Sequence, residues 1–283
     1  MPKSITQPLF HSRFTAGLYI NISTKKENLL YRALIQTFQR WIMDKIATGV
    51  PGLDKILKGG LRKGTFTLIS GVPGTGKTIL GLQFLVEGVK RGERGLFICS
   101  EEPQEDVKTY AKNLKIDLDE FEKLKKLFFV QQQISDRKIV SLSTPIDMIK
   151  KEKIKRVFLD SLTMFKYMHM AGTMDFRKEL YNFISIMKET GVTLLITAER
   201  DRTSLDMTKY EDHDFLFEGL IILTKIRKGA SYERCITVQK MRGQDHSMDI
   251  YPFTIGEGGI TIHVDQPPFS LIEQDVTKTK NSR

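Results

Sequence analysis

The sequence predicts an α/β fold, a mostly parallel central sheet flanked by helices and completed by a C-terminal antiparallel meander. Three observations carry that expectation. Between residues 46 and 215, short apolar strand-like runs alternate with longer amphipathic stretches, and strands joined by helices of that length require crossovers in a parallel sheet. After residue 215 the helical stretches stop and strand-like runs follow one another through short polar turns, as antiparallel neighbours do. The glycine-rich octapeptide Gly71–Thr78 lies between the first such run and the first helical stretch, the strand–loop–helix junction of an α/β unit.

Each element has its own local warrant. Thr65–Ser70, Gly95–Ser100, Leu127–Gln132, Arg156–Asp160 and Thr193–Ala198 are short apolar runs and read as strands. Between them, Thr78–Lys90, Gln104–Leu114, Thr144–Glu152 and Asp175–Thr190 have helical length and amphipathic spacing. Glu101 and Glu102 precede Pro103, where acids favour a helix start. Phe217–Arg227, Arg234–Arg242, Tyr251–Ile255 and Gly259–Val264 form the meander. The mixed Lys-Glu stretch Glu120–Lys126 reads as a solvated helix face.

Residues 46–270 contain no repeat and no linker rich in Pro or Gly, so they are expected to form one domain. The tail Glu273–Arg283 is polar and expected to be flexible. Residues 1–45 differ from the rest. They hold seven Lys/Arg against Glu27 and Asp44, half of the chain's net charge of +10. Within them Leu30, Leu34, Phe38, Trp41 and Ile42 form an apolar stripe at helical spacing. That basic extension reads as an appended helix for docking or for a membrane surface, or as sequence upstream of a true start at Met43, the preferred reading. No secretory h-region is present and no run approaches a membrane span. Two cysteines, Cys99 and Cys235, exclude a disulfide scaffold and suit a reducing, cytoplasmic setting. Outside residues 1–45 the basic excess is dispersed, so nucleic acid is a possible partner and not the favoured one.

The octapeptide reads Gly71-Val72-Pro73-Gly74-Thr75-Gly76-Lys77-Thr78, the pattern G-x-x-x-x-G-K-[ST]. Its glycines let the backbone curl until N–H groups and a helix N-terminus converge on one anion. Lys77 can reach the β- and γ-phosphates of ATP, and Thr78 can offer its hydroxyl to Mg²⁺. Arg156–Asp160 is an apolar strand ending in an acid, and Asp160 there suits a Mg²⁺ held through water. Glu101 and Glu102 end another strand, where a carboxylate can polarise the attacking water. Lys240 and Arg242 occupy alternate strand positions and therefore one face. They read either as an exposed basic edge or as a fork for a γ-phosphate. Asp212-His213-Asp214 and Met168-His169-Met170 read as a polar loop and loop packing, not metal sites.

The stretches Thr48–Asp54 with Gly59-Gly60-Leu61, Gly71–Thr78 and Phe97–Gln104 set the beginning of a longer pattern. Val157–Ser161, Thr197-Ala198-Glu199-Arg200, Lys240–His246 and Tyr251–Ile255 continue it. In order and spacing these resemble the KaiC-like branch of the RecA/RadA superfamily of ATPases, over about residues 46–265. The resemblance implies a RecA-type fold and ATP hydrolysis, with Glu101 as base and Glu102 as its supporting neighbour. It also implies Mg²⁺ on Thr78 and Asp160. Lys240, Arg242 and His246 would act in trans, on the ATP of the next subunit of a hexameric ring. The chain departs from the clock protein of that branch in having one ATPase domain and no convincing Ser-Thr phosphorylation pair, Thr203-Ser204 being a poor match. The leading expectation is a regulatory ATPase working through an unnamed protein partner. The alternative is a RadA-like recombinase paralogue that binds DNA or RNA under ATP control. Against it, no helix-hairpin-helix domain precedes residue 46, and Phe14-Thr15-Ala16-Gly17 does not fit the recombinases' Phe-x-x-Ala polymerisation motif.

Overall fold

The computed structural model describes residues 44–131, 134–135, 138–139, 143–163, 165, 176–200, 210–228 and 230–268. The chain divides into two units, Met1–Asp44 and Lys45–Arg283, and every element below belongs to the second. The apolar stripe Leu30–Ile42, Met168–Met170, Thr203-Ser204 and the tail Glu273–Arg283 lie outside the described residues.

In chain order the elements begin with β1 (Lys45–Ile46), α1 (Leu53–Ile56), β2 (Leu61–Arg62), β3 (Phe66–Gly71) and α2 (Lys77–Lys90). β4 (Gly95–Cys99), α3 (Gln104–Asn113), α4 (Leu118–Lys123), β5 (Leu127–Gln131), β6 (Ile134–Ser135) and β7 (Lys138–Ile139) follow. Next come α5 (Ser143–Glu152), β8 (Arg156–Asp160), α6 (Phe176–Glu189), β9 (Thr193–Glu199) and a 3₁₀ turn, Asp212–Leu216. The chain then runs through β10 (Gly219–Lys228), β11 (Ser231–Met241), β12 (Tyr251–Gly256) and β13 (Gly259–Ile262).

Among the described residues, nine strands form one sheet in the order β13-β12-β11-β10-β3-β9-β8-β4-β5. From β10 to β5 the neighbours are parallel, and from β10 to β13 they are antiparallel. The fold is the expected RecA-type α/β architecture. Its two cores follow strand alternation. Phe97, Phe158, Leu195 and Ile221 face α2, while Leu96, Val157, Leu194 and Leu220 face α6. Among the described residues, no helix is long and apolar enough to cross a membrane.

Helix α2 packs so closely on β8 that a Cβ on Gly81 would lie 2.1 Å from the Phe158 ring. Gly81→Ala therefore sets two effects against each other. Higher helix propensity contributes about 1 kcal/mol, and overpacking costs about 1–3 kcal/mol. An overlap with a ring fixed between two layers leaves little room to yield, so the variant is expected to be less stable. A lower urea midpoint at unchanged slope checks it, and an unchanged or higher midpoint would reject the packing argument.

Two local expectations change in the structure. The stretch Glu120–Lys126 is helical only as far as Lys123, and it is exposed at Glu120 and from Lys123 to Lys126 but not throughout. Lys108 of α3, only 8% exposed, meets Glu122 at 2.6 Å and Asp119 at 3.1 Å. Asp212–Asp214, expected as a polar loop, is part of the 3₁₀ turn with His213 and Asp214 buried. A buried partner for Asp214, Arg200, is what makes that burial possible.

Candidate functional site

Parallel order brings the carboxyl ends of β3, β4, β8 and β9 to one edge, where α/β sheets form crevices. Gly71 stands opposite Glu199 on one side and Leu223 on the other, and Cys99 stands opposite Asp160. The loop after β3 is shaped by Gly74 and Gly76, with φ of 71° and 100°. Gly76 is the N-cap of α2 and carries no side-chain cap. Thr75 braces the curl by donating its hydroxyl to the Val72 carbonyl at 2.9 Å. Lys77 folds back over the loop, its Nζ 3.0 Å from the Gly71 carbonyl and 3.4 Å from that of Val72. Burial lowers the Lys77 pKa, against the opposing pull of Glu199, Asp160 and Glu101.

The acids meet the loop from the neighbouring strands. Thr78 donates its hydroxyl to Asp160 Oδ2 at 2.5 Å, and Thr197 donates to the other oxygen. Burial pushes the Asp160 carboxyl upward, and these two hydroxyls oppose it. Ser161 donates its hydroxyl to Glu101. The turn beyond β4 is pinned by Gln131, whose Nε2 donates to the Glu102 carbonyl at 3.1 Å. Pro73, Gly74, Lys77, Thr78, Glu101, Glu102, Asp160 and Glu199 line one cavity of about 180 Å³. A wider groove of about 580 Å³ opens beside the same loop, lined by Ile79, Tyr110, Asn113, Leu114, Arg234 and Ile255 among others.

The structure brings Pro73, Gly74, Lys77, Thr78, Glu101, Glu102 and Asp160 to one cavity, and it places beside them residues that the sequence did not single out. Lys225 donates its Nζ to the Pro73 carbonyl at 2.9 Å, a second cation on the loop. Glu199 lines the cavity. Tyr110 places a buried hydroxyl beside Glu102 and Thr78. Burial, then Glu102 and Asp160, push that phenol's pKa upward, so it stays a donor. The Nε of Arg234, in the groove, is buried without a partner. No motif spacing points to these four; Glu199 alone fell inside a stretch that carried the resemblance.

Lys240 and Arg242 do share one side, as alternation suggested, although Arg242 lies just past the end of β11. Lys240 donates its Nζ to the Asp214 carbonyl at 2.8 Å, and Arg242 donates Nη2 to the Phe215 carbonyl at 3.2 Å. Burial, then the neighbouring Arg242, lower the Lys240 pKa. Register sets both cations away from their own loop. Lys240 pairs with Leu220 and Leu220 with Leu68, three residues before Gly71. That is about 10 Å along the strands and two strands across. His246 stands in the turn after β11, its Nδ1 3.0 Å from the Ser247 carbonyl. Its neighbour Ser247 is tied to the Ile56 carbonyl at 2.9 Å.

Asp212-His213-Asp214 is packed for structure. The His213 ring meets Phe176 edge-on at 5.8 Å, and Asp214 is paired with Arg200. Among the described residues no group of three His, Cys, Asp or Glu is arranged to hold a metal.

A protein-family model described as "ATPase: KaiC" matches residues 46–267. Among curated proteins, the circadian clock protein KaiC3 of Synechocystis sp. is 35% identical over 242 residues, covering 82% of this chain and 47% of that protein. The circadian clock oscillator protein KaiC of Parasynechococcus marenigrum is 33% identical, over 78% of this chain and 45% of its own length. That of Synechococcus elongatus is 32% identical, over 77% and 44%. The chain thus spans somewhat less than half the length of these relatives. With a RecA-type sheet, a glycine-rich strand–loop–helix junction and a match across residues 46–267, the chain belongs to the KaiC family of ATPase domains.

Proposed function

We propose that this chain binds ATP with Mg²⁺ and hydrolyses it, as a ring-forming, hexameric regulatory ATPase with each nucleotide held between two subunits. The observation that carries this reading is convergence. Lys77, Thr78, Glu101, Glu102 and Asp160, drawn from three separate strand ends, line one cavity at the Gly71–Thr78 loop. The residues fit the groups they are to hold. An uncapped helix N-terminus and two lysines suit a polyphosphate. The Nε of Arg234 is buried without a partner in the groove beside the loop, and a buried donor of that kind calls for an acceptor. The groove's apolar Leu114, Ile255 and Tyr110 ring suit a nucleoside.

Lys77 would leave its loop carbonyls for the phosphates, and Thr78 with Asp160 would hold the cation, which when bound would supply charge neutralisation for the phosphates. Glu101, steadied by Ser161, takes the proton of the attacking water, and Glu102 supports it. Lys240, Arg242 and His246 serve the neighbouring subunit's ATP. The distance of the first two from their own loop supports action in trans. Residues 46–270 form the ATPase domain in this reading, with 1–45 an extension and 271–283 a tail. The buried free thiols Cys99 and Cys235 are in keeping with a reducing, cytoplasmic setting.

Mixing two inactive variants tests the assembly. Arg242→Ala should bind ATP almost normally and hydrolyse it about a hundredfold more slowly, because finger residues act on transition-state charge. Lys77→Ala has a dead pocket and an intact finger. Differently tagged subunits, co-expressed and purified as mixed assemblies, should recover turnover where a good pocket meets a good finger. Mixed assemblies without recovered turnover would refute action in trans.

A further inference from the structure

The Lys240–Arg242 fork does not stand on its own strand alone. Both cations donate to consecutive carbonyls, Asp214 and Phe215, of the 3₁₀ turn. That turn is itself held from inside the domain. Asp214 is 1% exposed and Arg200 is 5% exposed. The guanidinium meets both carboxylate oxygens from one nitrogen, at 2.8 and 2.7 Å. The same carboxylate accepts the Glu211 backbone N–H at 2.9 Å, closing the capping box of the turn.

Arg200 carries the connection onward to the nucleotide loop. Its Nε donates to the Ser70 hydroxyl at 2.9 Å, and its backbone N–H donates to the Gly71 carbonyl at 3.3 Å. Ser70 and Gly71 are the last residues of β3, directly before the loop. The residue preceding Arg200 is Glu199, which lines the phosphate cavity. One dipeptide at the end of β9 therefore touches the cavity with its first side chain and the foundation of the fork with its second.

A buried ion pair is a poor source of net stability, because desolvation of both charges offsets their attraction. It is a good source of position. The planar guanidinium is held at two of its nitrogens, Nη2 on Asp214 and Nε on Ser70, which fixes its orientation as well as its distance, and a satisfied buried network resists rearrangement. The half-exposed fork, by contrast, has long side chains whose direction depends on the carbonyls they hold.

We infer that the Arg200–Asp214 pair is a positioning strut, setting Lys240 and Arg242 for the neighbouring subunit's ATP and registering them to the β3 strand of their own subunit. This rests on the reading that the fork acts in trans, and it adds that the fork's aim is set by residues that touch no nucleotide. Arg200 and Asp214 are thus positioning residues.

Complementation in the full-length chain separates this role from a structural one. Asp214→Asn keeps the shape of the carboxylate and removes its charge. It should bind ATP within about twofold of wild type and turn it over about tenfold more slowly, the size expected for a change along a coupling network. Co-assembled with Lys77→Ala, it should recover activity, because its pocket is sound and the partner's fork is sound. Co-assembled with Arg242→Ala, it should recover none, because both forks are faulty. Recovery with Arg242→Ala, no recovery with Lys77→Ala, or wild-type turnover by Asp214→Asn alone would each overturn the strut. If Asp214→Asn fails to fold, Ser70→Ala decides, since it removes only the hydroxyl that Arg200 engages. It should lower turnover about threefold with the same complementation pattern, and wild-type turnover would overturn the proposal. The control mixture of Arg242→Ala with Lys77→Ala reports on the trans reading itself. Its failure would identify that reading, and not the strut alone, as the error.

Discussion

Glu101→Gln is expected to bind ATP like the wild type and to hydrolyse it about a thousandfold more slowly, the scale on which a general base acts. The amide has nearly the shape of the carboxylate. Its oxygen can still accept the Ser161 hydroxyl that holds Glu101, so the turn after β4 should stay in place. What is lost is the capacity to take a proton from water. Nucleotide affinity by calorimetry and phosphate release on the same preparation check the two halves of the claim. Equal turnover by the two proteins would remove Glu101 from the mechanism and move attention to Glu102, which lines the same cavity. Loss of affinity alongside turnover would mean that Glu101 organises the pocket instead.

Lys77→Ala is expected to fail earlier, at binding. The ammonium lies among Glu199, Asp160 and Glu101, so its removal leaves the phosphates facing carboxylates without their nearest counter-charge. Removing one partner from a buried charge pair costs about 4 kcal/mol, which corresponds to about a thousandfold in affinity. Lys225 limits the loss without preventing it, because it reaches the loop at the Pro73 carbonyl from β10. Lys225→Ala should accordingly weaken ATP by less than Lys77→Ala, and the same titration orders the two. Near-normal affinity in Lys77→Ala would show that backbone N–H groups and Lys225 carry the phosphates. Far-ultraviolet circular dichroism distinguishes that outcome from unfolding, since the variant should keep its helices.

Residues in and around the site differ in how far the local sequence specifies them. The Gly71–Thr78 junction was readable because glycine positions, a strand and a following helix are all encoded within about twenty residues. Asp160 and Glu101 were readable as acids at strand ends, and parallel order then brought those ends together. The short helix Leu118–Lys123 was harder. Its mixed charges read as solvated, as Glu120 and Lys123 are, but the placement of α3 beside it, which no local pattern specifies, also pairs Glu122 and Asp119 with Lys108.

By itself, then, the sequence determined the alternation of elements, the glycine-rich strand–loop–helix junction and the acids that follow β4 and end β8, because periodicity and turn chemistry are local properties of the chain. Tertiary structure alone decided which distant side chains share those surroundings. Lys225 reaches the loop because β10 pairs with β3, a choice of neighbour that no local pattern specifies. Tyr110 reaches the groove because Val107 and Ala111 of α3 are buried in the core that α2 shares. Asp214 is buried because Arg200, at the end of another strand, offers it a charge. A side chain's partner is set by strand order and register, and its burial is tolerable only where that partner waits.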